Sequence, residues 1–202
     1  MKGVSDPVQT RSHYTLKKLL DATEALLNEN SWLEISISDI VKAADTSVGS
    51  FYARFQDKDT LLRYLSARLT NETAESIQKF IRNNPSVSLE QTLRAVVRYL
   101  VDVHKARAGL IRTLTVLPRS YRKRSFFDDG MRNAKAFQNL VQQLVRHGIS
   151  ESKASFVLFV IVNAVRERFL FAEHSKPLTS FSQRKFIEEL CVLGNSYLSE
   201  TR

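Results

Sequence analysis

The stretch SISDIVKAADTSVGSFYARFQDKDTLL, residues 36–62, decides the fold. Ser36 and Asp39 have the spacing of an N-terminal helix cap and predict a short helix. The polar turn 45–47 follows, and a second short helix runs from there to about Arg54. Two short helices joined by a tight turn are the parts of a helix-turn-helix, a unit that reads DNA with its second helix.

The apolar residues around this stretch predict which face of the second short helix is buried. Phe51 and Phe55 are spaced i, i+4 and are expected to point inward. Their expected partners, on a preceding helix over residues 14–29 and on the first short helix, are Leu19, Ala22, Ile40 and Ala43. The opposite face carries Gly49 and Ala53, small residues that let a helix backbone lie deep in a major groove.

Two features of this unit leave alternatives open. A short helix with a small-residue face can simply connect its neighbours without binding anything. Lys58 lies in the first turn of the next helix, where the helix dipole disfavours a cation and a bound phosphate would compensate it. The adjacent Asp57 and Asp59 can neutralise Lys58 instead.

With these residues in view, the segment resembles the N-terminal domain of the TetR family of bacterial transcriptional regulators. The family pattern Thr/Ser-x-x-Asp-Ile-Ala, a turn, Ser-x-Gly-x-x-Tyr-x-x-Phe and Lys-x-x-Leu is met by Ser36, Asp39, Ile40, Ser47, Gly49, Tyr52, Phe55, Lys58 and Leu61. Two positions depart, because Asp45 and Ser31 stand where the family usually has Gly. Asp tolerates the left-handed region better than most residues, so the turn can still form.

The resemblance and the exposed face together predict the DNA contacts. Tyr52 and Lys58 are expected on phosphates, and Val48, Gly49 and Ser50 against base edges, with Val48 able to meet a thymine methyl. The full predicted DNA-binding set is Thr46, Ser47, Val48, Gly49, Ser50, Tyr52, Arg54 and Lys58.

Composition restricts the class of protein and complicates the charge argument. The 202 residues are 43% hydrophobic and 25% charged, which excludes a disordered chain. The formal net charge is +9, but residues 1–70 contain nine basic and nine acidic residues. The excess charge therefore lies in residues 71–202 and is no sign of DNA binding by the N-terminal segment. The electrostatic attraction of the N-terminal segment for DNA has to come from the local placement of Lys42, Arg54, Lys58 and Arg11.

The helix signals continue along the chain and predict an all-α protein with about nine helices and no strand. A long fourth helix follows Asp57, and Ser88 and Gln91 form a capping-box pattern for the fifth, which we expect to break near Gly109 and stop before Pro118. Later helix starts are expected at residues 128–129, at Ser150 and at 180–183, with His147-Gly148 as a helix end. We predict a DNA-binding domain over 1–62 and a larger helical ligand-binding and dimerisation domain over 63–202.

The segment from Ala154 to Phe171 carries an unbroken apolar run over residues 156–162, which indicates a helix buried on every side by its own domain and by a partner. The resemblance implies a homodimer in which the last two helices pair across a two-fold axis. The alternative is a core helix buried entirely within its own chain.

An acid-free basic stretch lies between Asp102 and Asp128. It fits a solvated loop, a site for an anionic ligand, or a contact with DNA backbone or lipid. The candidate ligand-binding residues are His104, Arg107, Arg112, Phe127 and Met131.

We predict no enzyme, and no catalytic, metal or cofactor site. None of the four His has Glu or Asp three residues before it, and no Gly-rich phosphate loop or zinc-ligand spacing occurs. The single Cys191 fits a reducing compartment. The sequence shows no signal peptide and no apolar run long enough to span a bilayer, so a cytoplasmic location is expected.

The most consistent interpretation is a ligand-responsive regulator, a repressor that a small molecule releases from a palindromic operator in double-stranded DNA. A helical carrier of small apolar ligands with a non-functional DNA headpiece is the alternative. A basic protein of the membrane surface is a third interpretation.

Overall fold

The computed structural model describes residues 7–84, 87–120, 137–171 and 182–199. These ranges contain nine helices and no strand, as the sequence predicts. The helices are α1 (Pro7–Glu29), α2 (Ile37–Ala43), α3 (Val48–Tyr52), α4 (Lys58–Asn83), α5 (Leu89–Ala106), α6 (Ala108–Ser120), α7 (137–145), α8 (Glu151–Leu170) and α9 (Gln183–Ser199).

Local hydrogen bonds fix the predicted helix starts. At α2, the Asp39 N–H donates to Ser36 Oγ at 3.1 Å, and the Ser36 N–H donates to Asp39 Oδ2 at 2.8 Å. These bonds from Ser36 lower the pKa of the Asp39 carboxyl group. The same reciprocal pair between Ser88 and Gln91 opens α5. Each capping box satisfies backbone donors that the first helical turn leaves unpaired.

Two helix boundaries differ from the sequence prediction. α1 begins at Pro7 and not near residue 14. α6 continues through Pro118 to Ser120, because a proline this close to a helix end removes a single late hydrogen bond. The start of α9 lies within the predicted range 180–183, with Ser182 as its cap, whose Oγ accepts from the Lys185 N–H at 3.2 Å. The start predicted at residues 128–129 lies outside the described residues.

The chain forms two compact units. The first contains Met1–Arg68 and Gly109–Lys123, and the second contains Leu69–Ala108 and Arg124–Arg202. The division therefore falls inside α4, and α6 belongs to the first unit from Gly109 onward. The functional division into residues 1–62 and 63–202 stays a prediction.

The core of the first unit lies among α1, α2, α3 and the start of α4. Phe51 is completely buried and Phe55 is 3% exposed, so both point inward as predicted. Leu19 and Ile40 are buried with them, but Ala43, the last residue of α2, is exposed, and the cap residue Ala44 is buried. The expected contact with Ala43 was therefore wrong by one residue, since α2 ends there and Ala44 caps it.

The core of the second unit is built on α5, which packs against α8 and α9. Its buried residues include Leu93, Val97, Leu158, Ile161 and Leu190. Among the described residues, no helix is both long and apolar enough to cross a membrane.

Candidate nucleic-acid interface

The turn between α2 and α3 places the two helices in the helix-turn-helix arrangement. The Thr46 N–H donates to the Val41 carbonyl at 2.9 Å, which closes α2, and Asp45 has a φ of 47°. Asp45 thus adopts the left-handed conformation that glycine usually supplies at this position. Ser47 then caps α3, accepting from the Ser50 N–H at 3.1 Å.

One face of α3 is open to solvent and carries most of the predicted DNA contacts. Val48 is 44% exposed and Tyr52 is 56% exposed, and Ser47 and Gly49 are also exposed. The Tyr52 ring meets the buried Phe51 ring edge-on, with a centroid distance of 5.5 Å. The exposed face of α3 and its cap residue therefore carry a tyrosine, an aliphatic side chain and a serine.

No packing contact among the described residues requires a glycine at position 49. A Cβ built on it would meet only Ser47 Oγ, at 3.8 Å, which is ordinary van der Waals distance. The packing of the chain would accept alanine, a better helix former. The small residue therefore leaves space outside the chain, on the face that would approach a partner.

Lys58, predicted on a phosphate, has partners within the chain. Its ammonium donates to the carbonyls of Trp32 and Ile35, both at 2.6 Å, and lies 4.6 Å from the centroid of the Trp32 ring. Partial burial of the amine lowers its pKa, which the carboxylates of Asp59 and Asp39 oppose. An ammonium has three donors, so one N–H remains beyond these two bonds.

The three remaining predicted contact residues, Thr46, Ser50 and Arg54, are half-buried. The Arg54 guanidinium donates back to the Ser50 carbonyl at 2.8 Å, which turns it along α3. Thr46 lies in the turn. Lys42, in the last turn of α2, is exposed and supplies a cation beside α3.

Of the five residues predicted to bind a ligand, the structure describes three. His104 is 6% exposed, and its Nδ1 lies 2.8 Å from the Leu100 carbonyl oxygen. Arg107 forms an ion pair with Glu72 at 2.6 Å, within the second unit. Arg112 belongs to the first unit and is exposed. Phe127 and Met131 lie outside the described residues.

Sequence reasoning missed three concave features. One is a groove of about 280 Å³ in the first unit, lined by Trp32, Leu33, Gly109, Arg112 and Val116. The other two are cavities within the second unit, among α4, α5 and α7. Their lining residues come from segments far apart in the sequence, so no local pattern distinguished them from core.

The turn geometry and the exposed face of α3 define a helix-turn-helix protein. Residues 19–65 match the family model described as bacterial regulatory proteins, tetR family. An uncharacterized HTH-type transcriptional regulator of Bacillus subtilis, YvdT, is 36% identical over 72 residues, which are 36% of this chain and 36% of YvdT. The HTH-type transcriptional regulator BetI of Escherichia coli is 30% identical over 81 residues, which are 40% of this chain and 42% of BetI. The matches thus span less than half the length of these relatives.

Solved structures match over nearly the whole chain at low identity. The fatty acid degradation regulator FadR from Bacillus halodurans superposes with a TM-score of 0.73 at 14% identity, covering 99% of each chain. FadR from Bacillus subtilis, in complex with stearoyl-CoA, gives a TM-score of 0.64 at 16% identity, covering 90% of this chain and 95% of that one. These likenesses show the shared all-helical fold. The match of residues 19–65 to the tetR family model agrees with the resemblance that the helix-turn-helix motif indicated.

Proposed function

We propose that this protein is a ligand-responsive transcriptional regulator, and specifically a repressor that a small molecule releases from a palindromic operator. The observation that supports this most directly is the exposed face of α3. Val48, Gly49 and Tyr52 are exposed there, and the core does not require Gly49 to be small. Such a face fits a helix that lies in a major groove, with Tyr52 and Lys58 on phosphates and Val48, Gly49 and Ser50 against base edges.

A homodimer through α8 and α9 accounts for a palindromic operator, because a two-fold protein reads two inverted half-sites. Large apolar side chains remain exposed on these two helices in the single chain. Phe159 and Val192 are each 61% exposed, Phe156 is 53% exposed and Leu193 is 51% exposed. Exposed apolar side chains of this size on two helices favour an interface between two subunits over contact with water.

Fluorescence anisotropy with labelled DNA from the region flanking the protein's own gene tests the proposal. We expect saturable binding that an excess of unrelated duplex DNA of equal length fails to displace. The carrier alternative predicts equal competition by both DNAs. Sequence-independent binding would thus overturn the regulator function and leave the cavities of the second unit as the functional feature.

Release by an effector is tested on the same complex. Adding extract of the native host, fractionated by size to small molecules, should lower the anisotropy of the bound operator if an effector is present. A complex that is retained or strengthened would instead indicate an activator and overturn the repressor proposal. For a regulator of this kind we propose a cytoplasmic location, on the nucleoid while DNA is bound.

A further inference from the structure

Two cavities in the second unit share lining residues and differ in chemistry. The apolar chamber, of about 180 Å³, is lined by Ile77, Phe80, Val96 and Leu140, together with Ser76, Ala95, Tyr99 and Gln143. The polar chamber, of about 230 Å³, is lined by Asn84, Thr92, Arg146 and His147, together with Phe80, Val87 and Gln143. Phe80 and Gln143 line both chambers, so the two volumes adjoin.

The polar chamber has a fixed arrangement of hydrogen-bonding groups. Thr92, 2% exposed, bonds through Oγ1 to His147 Nε2 at 2.8 Å. Gln143, 7% exposed, donates one amide N–H to the Asn139 carbonyl at 3.0 Å. Its amide still has a second N–H and a carbonyl oxygen for a ligand at the junction of the two chambers.

The charged residues that line the two chambers restrict the kind of ligand that fits. No Asp or Glu is among the lining residues of either chamber, and Arg146 supplies a cation to the polar chamber. The guanidinium group matches the planar geometry of a carboxylate, and a single cation balances a single negative charge. The apolar chamber offers hydrocarbon contact and excludes a second charged group.

We propose that the two chambers together bind one amphipathic monocarboxylate. Its hydrocarbon body lies in the apolar chamber, and its carboxylate lies in the polar chamber against Arg146, with Gln143 at the junction. The inference rests on the proposed ligand-responsive function and names the chemical class of its effector. It also places the effector among α4, α5 and α7, in chambers that neither His104 nor Arg107 lines.

Isothermal titration of the full chain with decanoate and decan-1-ol measures the two parts of this proposal separately. We expect one decanoate bound per chain, at least tenfold tighter than decan-1-ol. Within the series hexanoate, octanoate and decanoate, affinity should rise about fourfold per methylene until the apolar chamber is filled. Equal affinities for the acid and the alcohol would overturn the carboxylate assignment, and no binding of either probe would overturn the site.

Two variants locate the binding. Arg146→Gln should lose about tenfold in decanoate affinity and keep its decan-1-ol affinity. Arg98→Gln, which removes an exposed cation of α5 that lines neither chamber, should leave both affinities unchanged. Ala95→Leu, which fills part of the apolar chamber, should weaken both probes. If Arg146→Gln and Arg98→Gln affect decanoate equally, the carboxylate lies elsewhere.

The proposed function is measured independently of this site, on ligand-free protein. Sequence-specific DNA binding without decanoate binding would contradict the ligand class and leave the regulator intact. Decanoate binding without sequence-specific DNA binding would support the chambers and contradict the regulator.

Discussion

The ammonium of Lys58 donates to the backbone carbonyl of Trp32 and lies over the indole ring of the same residue, 4.6 Å from its centroid. A second bond reaches the Ile35 carbonyl at 2.6 Å. The first residue of α4 therefore holds the loop between α1 and α2. In the free protein this lysine stabilises the first unit. A contact between Lys58 and a DNA phosphate has to use its remaining N–H or replace one of these two bonds.

Lys58→Met should reduce the free energy of unfolding by about 1–3 kcal/mol, because the carbonyls of Trp32 and Ile35 lose charge-assisted hydrogen bonds. Urea unfolding followed by the fluorescence of Trp32, the single tryptophan, measures the change. Its emission should also shift, since the cation leaves the ring. Lys42→Met, at an exposed position on α2, is the matched control and should stay close to the parent. A parental midpoint for Lys58→Met would show that these bonds contribute nothing to stability.

The same variant tests the phosphate contact. If Lys58 also binds a phosphate, the slope of log K against log salt should flatten by about 1 per contact, on specific and unrelated DNA alike. If its function is only to hold the loop, affinity falls while the slope is unchanged. The salt series thus separates two effects that a single affinity cannot.

Gly49 tests whether α3 reads DNA. Gly49→Ala should keep the stability of the parent or raise it by up to about 1 kcal/mol, since alanine favours the helix and its Cβ meets nothing closer than 3.8 Å. Gly49→Leu should fold equally well and abolish specific operator binding, because its side chain holds the helix out of the groove. Anisotropy and thermal unfolding on the same samples measure both properties. Operator affinity equal to the parent in Gly49→Leu would show that another surface binds DNA.

Gly109, unlike Gly49, lies where the packing leaves no space for a side chain. Near the start of α6 its backbone lies against the end of α1, and its N–H donates to Asn28 Oδ1 at 3.3 Å. A Cβ there would overlap the Leu27 carbonyl and lie 2.6 Å from the Asn28 nitrogen, both of them backbone groups that cannot rotate away. Gly109→Ala should therefore destabilise the protein by about 1–3 kcal/mol, measured by chemical unfolding. Gly49→Ala is the control, and equal midpoints for the two variants would contradict this packing.

Patterns of residues close together in the sequence predicted much of the local structure correctly. The caps at Ser36 and Ser88 involve residues three apart, so the sequence contains both partners. The inward positions of Phe51 and Phe55 follow from helical periodicity alone. The left-handed turn at Asp45 could be predicted for the same reason, because its conformation depends on the residue itself and its immediate neighbours.

Contacts between segments far apart in the sequence could not be predicted in this way. Lys58 was expected to face phosphate, yet its partners lie 23 and 26 residues earlier in the chain. The ion pair of Arg107 with Glu72 depends likewise on where α4 runs beside α5. The two chambers arise where three helices leave space between them, a property of tertiary packing that no single helix pattern encodes.

His104 should make stability depend on pH. Burial lowers the pKa of its imidazole, and the Arg166 cation adds to this effect, while the bond to the Leu100 carbonyl opposes it. As pH falls below about 6.5, the unfolded chain takes up the proton first, so stability decreases from about pH 6.5 down through the folded pKa.

The decrease should reach at most about 1.4 kcal/mol per pH unit for this one proton. Unfolding curves of His104→Gln between pH 7.5 and 5 should show a flatter profile than the parent. The exposed His13→Gln should keep the parental profile. Identical profiles for His104→Gln and the parent would show that the buried imidazole takes up its proton without destabilising the fold.

Phe159→Glu tests the proposed dimer. Phe159 is 61% exposed in the single chain, so the variant should fold, but a carboxylate in an interface between two copies of α8 would lose its water. The cost of several kcal/mol should shift the protein to monomer in light scattering after size exclusion. Gln142→Glu adds the same charge at an exposed site of α7 and should remain dimeric. Operator affinity should fall with the dimer, because one subunit reads only one half-site. A folded Phe159→Glu dimer would place the interface on another surface.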